Sequence, residues 1–208
     1  MGDKILKDSR QMPTNRMLVR EKNYCDLLYA WLQCNSERVY PTSRERCIAK
    51  SKVKWAAIER DFTRELSDGT IEKIMDRRTV AKYFNFLLAQ GLIKLEEDTY
   101  YLTLLEGSEA HLIEYNTLSK LMNVLQKNSL SIYIYLYNRY YANNSKPFIA
   151  TMKQIKEYIG VATTTTSNNV FIDDTLDILK RLNLLDYELT LQEGKSYLTF
   201  KWVKNQLV

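Results

Sequence analysis

Arg77, Arg78, Thr79, Lys82 and Tyr83 sit in the stretch DRRTVAKYFNFLLAQGLI (76–93) and carry the groups that grip phosphates and base edges. A guanidinium can take the O6 and N7 of a guanine in a bidentate pair, while a lysine or a phenol reaches phosphate or a base edge. Thr79 offers a hydroxyl and a methyl that fits a thymine methyl. Val80, Phe84, Leu87 and Leu88 alternate with them at i, i+4, i+7 and i+8, one apolar stripe of a helix. Asp76 is of the type that caps a helix N-terminus, so the five polar residues are predicted to face outward from the first two turns. Those turns are the part of a recognition helix that enters a major groove.

Three further groups have chemistry of their own. Arg38, Arg44, Arg46, Lys50, Lys52 and Lys54 are opposed only by Glu45 within their span, which makes Arg44, Arg46, Lys50, Lys52 and Lys54 candidates for phosphate contact. Thr164, Thr165, Thr166, Ser167, Asn168 and Asn169 form a polar run before a second helical pattern. Of these, Thr166, Ser167, Asn168 and Asn169 are placed to bond phosphates or adenine edges, with Lys153 and Lys156 nearby to supply charge. Asp173, Asp174 and Asp177 follow on that helix and oppose phosphate. Tyr133, Tyr135, Tyr137, Tyr140 and Tyr141 crowd one helix, and Tyr133, Tyr137, Tyr140 and Tyr141 are read as an oligomer or partner surface, since tyrosine supplies contact area at small entropic cost.

Catalytic constellations are missing. His111 is the single histidine, so nucleophile–histidine pairs and histidine-based zinc sites lack their parts. No GxxxxGK[ST] or GxGxxG occurs, and Cys25, Cys34 and Cys47 have no CxxC spacing. The chain is read as no enzyme, with no metal and no cofactor.

The elements that must position these residues occur twice. DLLYAWLQCN (26–35) and SIYIYLYNRY (131–140) are aromatic-rich helices. CIAKSKVKWAAIE (47–59) and FIATMKQIKEYIG (148–160) each run a short strand into a helix. FNFLLAQGLIKLEED (84–98) and LDILKRLNLLDYEL (176–189) end leucine-rich helices at Gly91 and Asn183, both tolerant of the left-handed conformation. A hairpin follows each, turning at Glu97-Asp98 and at Glu193-Gly194. Helix, strand, helix, helix, hairpin is the order of a winged helix-turn-helix. The predicted fold is therefore mainly α with small β-hairpin wings (α+β), as two tandem winged helix-turn-helix domains joined by a helix.

The predicted boundaries are a flexible tail over 1–18, a first domain over 19–106, a connecting helix over 107–128 and a second domain over 129–208. Leu118, Leu121, Met122 and Leu125 give that connecting helix its packing face. The path of the insertion FTRELSDGTIEKIM (62–75) is not legible. Net charge is +5 and concentrated early: residues 1–105 carry 19 Lys/Arg against 15 Asp/Glu, residues 106–208 only 11 against 10. That skew favours the first domain as the polyanion binder, although Glu96, Glu97 and Asp98 make its wing tip repel phosphate. No apolar run could span a membrane and the N-terminal residues lack the apolar core of a signal peptide, so a cytoplasmic protein is expected.

RRTVAKYFNFLLAQGLI, and MKQIKEYIG followed by TTTTSNN, together resemble the tandem winged-helix replication proteins of plasmids and phages of low-GC Gram-positive bacteria, over about residues 20–203. The resemblance implies binding of repeated origin sequences in double-stranded DNA, a homodimer or monomer–dimer exchange, and recruitment of host replication proteins. By position, Arg77, Arg78, Thr79, Lys82 and Tyr83 match recognition-helix contacts, and Thr166 to Asn169 a second set. A transcriptional repressor of the same fold, and an adaptor of helicase loading whose winged helices bind protein, are the alternatives.

Overall fold

The computed structural model describes residues 9–13, 25–65, 68–105, 110–124, 129–192 and 195–205. The fold is α+β, with helices packed on small antiparallel sheets. From the N-terminus, β1 is Ser9–Pro13, α1 Cys25–Asn35, β2 Glu37–Arg38 and β3 Arg46–Ala49. A 3-10 turn, Lys50–Lys52, leads to α2 (Trp55–Asp61), β4 (Thr63–Glu65), β5 (Ile71–Lys73) and α3 (Arg77–Ala89). After β6 (Ile93–Glu96), β7 (Thr99–Leu102), β8 (Ala110–Glu114) and α4 (Tyr115–Val124) comes α5 (Ser129–Ala142). The chain closes with β9 (Phe148–Ala150), α6 (Met152–Tyr158), α7 (Ser167–Arg181), β10 (Leu185–Gln192) and β11 (Lys195–Val203). It divides into two compact units, one Tyr24–Glu106, the other Met1–Asn23 together with Gly107–Val208.

In the unit formed by 24–106, α1 is the central helix. Cys25 through Gln33 are all buried, as expected of a helix apolar on every side. Tyr29 has no exposed surface, and burial pushes its phenol up to about 12 even though Gln33 Nε2 donates to it at 3.1 Å. The sheet order is β2-β3-β7-β6, and β3 pairs with β7 so that Arg46 faces Leu102 and Ile48 faces Tyr100. Phe84 of α3 is wedged edge-on between Trp55 and Tyr100, with centroids 4.9 Å from each. The insertion after α2 is a hairpin, β4 against β5, and Arg64 clasps Glu72 across it.

The other unit is built around α5, whose residues Ser129 through Leu136 are buried. Its sheet runs β10-β11-β9, with Phe148 opposite Phe200 and Ala150 opposite Leu198. β1 pairs with β8 here, and Met12 and Ile113 are fully buried. Two expectations are corrected by that pairing. The segment predicted as a flexible tail contains a strand, and the helix predicted over 107–128 starts only at Tyr115, because Ala110–Glu114 finds a β partner in β1. Leu118 and Leu121 are buried on α4; Leu125 and the Glu193-Gly194 turn lie outside the described residues.

The helix stops are the expected ones. Gly91 has φ +67° and Asn183 φ +56°. In both, the next two backbone N–H groups reach back to satisfy the last carbonyls: Gly91 to Leu88 and Leu92 to Leu87 in one, Asn183 to Lys180 and Leu184 to Leu179 in the other. This terminates each helix and aims the chain into its hairpin.

Candidate nucleic-acid interface

α3 starts where Asp76 accepts the Thr79 backbone N–H at 2.7 Å. Hydrogen bonds from Thr79, through side chain and backbone, hold the Asp76 carboxyl below the usual carboxylate range. The cap fixes the first turn. Val80, Tyr83, Phe84 and Leu87 then form the buried face. Tyr83, predicted outward, is only 5% exposed; at i+3 from Val80 it joins the i, i+3, i+4, i+7 set that a helix packs inward. Leu88, predicted in the stripe, is half-buried instead.

Arg78 and Lys82 are exposed and form no ion pair among the described residues, and the Lys82 ammonium lies 5.4 Å from the Tyr83 ring. Thr79 is half-buried at the cap. Arg77 is exposed but engaged: its Nε donates to Glu59 Oε2 at 2.7 Å, while Lys73 Nζ takes Glu59 Oε1 at 3.0 Å. Those two donors hold the Glu59 carboxyl below its ordinary value. Glu59 had no local signal in the sequence, because it lies on α2 and meets Arg77 only through the fold.

The basic run of 38–54 is split by the structure. Arg46, predicted to contact phosphate, is 7% exposed and donates to Ser36 Oγ at 2.8 Å and to the Ser36 carbonyl at 2.6 Å. It occupies an inward position of β3, where strand alternation points it into the core. Lys52 is exposed and paired with Glu37. Arg44, Lys50 and Lys54 are exposed without an ion pair among the described residues. The Lys50 N–H is bonded to the Asp98 carbonyl at 2.8 Å, which brings the Lys50–Lys52 turn against the acidic hairpin tip.

In the second unit, Thr163 through Thr166 are exposed ahead of α7, as is its first residue Ser167, and Thr166 stands at the N-cap with no side-chain cap bond. Asn168 donates to the Ala162 carbonyl at 2.9 Å, and Asn169 Oδ1 is buried with no partner among the described residues. Lys156 does not supply surface charge: it is 3% exposed, its ammonium bonded to the Thr163 and Thr165 carbonyls at 3.0 and 2.9 Å. Asp173, Asp174 and Asp177 are exposed. Partial burial, then Asp177 and Asp174, push the Asp173 carboxyl up. The Tyr187 phenol donates to Asp177 at 3.1 Å and is raised to about 12, first by burial and then by that bond.

Of the predicted tyrosine surface, Tyr133 is fully buried, and its hydroxyl donates to the Lys204 carbonyl at 2.7 Å. A helix surrounded on all sides leaves no outward direction at that position. Tyr137 and Tyr140 are half-buried and Tyr141 is 65% exposed; with Ser145, Val203, Lys204 and Asn205 they line an open groove of about 440 Å³. His111 lies in β8 opposite Met12, and its side chain is outside the described ones. Among the described residues no helix is long and apolar enough to cross a membrane.

No family model matches this chain, and no curated protein does. Among solved structures, a match is found to the C-terminal part of Stn1 from S. cerevisiae, 12% identical over 76% of this chain and 87% of that one, with a TM-score of 0.25. A likeness at that score carries no argument about fold or function.

Proposed function

We propose that this chain is a non-enzymatic, sequence-specific binder of double-stranded DNA, built as two tandem winged helix-turn-helix domains and acting in plasmid or phage replication in the cytoplasm. The unit around α3 is the main reader. One observation carries the reading: α3 is rigidly capped by Asp76 and packed on Val80, Tyr83, Phe84 and Leu87, so that Arg78 and Lys82 stand exposed on its outer first turns beside Arg77, without an ion pair among the described residues. Fixed cations on a packed helix start are what phosphate grip and base readout require. The acidic tip Glu96-Glu97-Asp98 leaves the hairpin out of phosphate contact. The partners implied are duplex DNA, a second copy in monomer–dimer exchange, and host replication proteins.

The test is binding to duplex DNA from the gene's own upstream or origin region across a salt series. Affinity should fall steeply with salt and favour one sequence over unrelated duplex. Lys82→Ala should weaken binding to all duplexes alike and reduce the salt slope by about 0.9 if it meets one phosphate. Salt-insensitive binding, no tighter than that of a neutral control protein, would sink the proposal.

The groove beside Tyr137, Tyr140 and Tyr141 favours a second role for the other unit, docking of a protein partner. Tyr141→Ala should then abolish partner capture while leaving duplex affinity unchanged.

A further inference from the structure

Glu59 lies five residues after the α2 N-cap, its side chain 15% exposed, and both carboxylate oxygens are occupied. Lys73 takes Oε1 and Arg77 takes Oε2, so one side chain ties α2 to β5 and to the first residue of α3. Arg77 is held by Nε alone. Its Nη1 and Nη2 make no hydrogen bond among the described residues, and its side chain is 68% exposed. Arg64 provides the contrast: its Nε and Nη2 both point at Glu72 Oε2, at 2.7 and 2.5 Å, so that edge is consumed. A guanidinium anchored at Nε keeps its far edge in a fixed plane. That edge carries the parallel N–H pair that matches the O6 and N7 of a guanine.

We infer that Glu59 is a positioning residue for base reading: without touching nucleic acid, it holds Arg77 so that the Nη1–Nη2 fork is presented from the first turn of α3 to a guanine. The inference rests on the reading of α3 as the DNA-binding helix. Glu59 also neutralises part of the charge of Lys73 and Arg77, which would otherwise attract every sequence equally. Released from Glu59, Arg77 has more rotamers to lose on binding and can settle on any phosphate. Specificity then falls while general attraction rises.

The experiment uses the full chain and a pool of duplexes with a randomised central segment. The selected site is compared with versions in which each guanine in turn is replaced by adenine. The guanine whose replacement is no longer felt by Arg77→Ala is the one Arg77 reads. At that position Glu59→Ala should lower guanine-over-adenine discrimination about tenfold, tighten binding to unrelated duplex at low salt, and have no effect in an Arg77→Ala background. Glu59→Gln, which keeps an oxygen for Nε, should retain most of the discrimination. Should Glu59→Ala fail to fold, Arg77→Lys, which keeps the charge and lacks the fork, must lose the same discrimination with an unchanged melting temperature. Selective binding by the wild type, with Glu59→Ala or its stand-in Arg77→Lys discriminating as well as it does, overturns the inference alone. Absence of any selective duplex binding by the wild type overturns it together with the reading beneath it.

Discussion

Glu59 and Lys156 occupy the same place in the two units, five residues after the N-cap of the second helix and flanked by the buried pairs Ile58 and Phe62 or Ile155 and Ile159. Their charges are opposite. Glu59 reaches forward to Lys73 and Arg77 at the start of α3; Lys156 reaches forward to the carbonyls of Thr163 and Thr165 just before α7. Either polarity ties the second helix to the beginning of the third. What differs is the surface left behind. In the first unit the tether consumes a carboxylate and leaves cations outside, whereas in the second it buries a cation and leaves Asp173, Asp174 and Asp177 outside. The third helices bury residues at one common spacing, Val80, Tyr83, Phe84 and Leu87 in α3 and Ile172, Thr175, Leu176 and Leu179 in α7. The frame requires that stripe and places no demand on the positions between, so one copy can present Lys82 where the other presents Asp174.

If the two stripes are equivalent, emptying either should be the most damaging change available. Phe84→Ala should cost about 3–5 kcal/mol and Leu176→Ala about 2–5 kcal/mol, read from urea unfolding. A cost below about 1 kcal/mol at one of them would break the equivalence, showing that its helix is not anchored as the other is. The tethers come next. Lys156→Met removes the donor of two carbonyls, Thr163 and Thr165, and should destabilise by about 1–3 kcal/mol because those acceptors lose their partner. Glu59→Gln should be milder, since Lys73 and Arg77 are exposed and can return to water.

Acid separates the outer faces. The Asp76 and Glu59 carboxyls are held low by bonds made only in the folded state, so their contribution is fully present above the ordinary carboxylate range and disappears as pH falls through their lowered folded values. Asp173 is raised, so its ionised form opposes folding at neutral pH and that opposition is relieved on acidification. Asp76→Asn should therefore flatten the acid loss of stability. Asp173→Asn should raise the urea midpoint at pH 7 and have no effect near pH 3. The same sign of response from both substitutions at pH 7 would contradict this assignment.

What the sequence revealed follows from how local each cause is. The helix stops, the Asp76 cap and the repeated order depend on a few adjacent residues and could be read directly. Tyr83 and Arg46 could not, because a tyrosine or an arginine is compatible with either face and only packing decides. Arg46 is buried in β3 opposite Leu102. Its burial is made tolerable by Ser36, ten residues earlier. Glu59 and Lys156 were hidden for the same reason, since their partners are assembled by the fold. The strand β1 was missed because its partner lies about a hundred residues away, and SRQMP has no alternation strong enough to announce it.

The finest test of the comparison is at the helix stops. Gly91 and Asn183 hold the same left-handed conformation, but glycine adopts it without the penalty a side chain brings. A Cβ built on Gly91 meets nothing within 4 Å, so Gly91→Ala should cost only the backbone penalty, about 1–2 kcal/mol, with no steric addition. Asn183→Gly should change stability by less than about 1 kcal/mol, because relief of the left-handed strain is offset by the larger entropy of a glycine in the unfolded chain. Gly91→Asn should fall between these, since asparagine tolerates the conformation better than alanine. If Gly91→Asn were as costly as Gly91→Ala, the stop at Asn183 would owe its stability to something beyond the backbone bonds the two helices share.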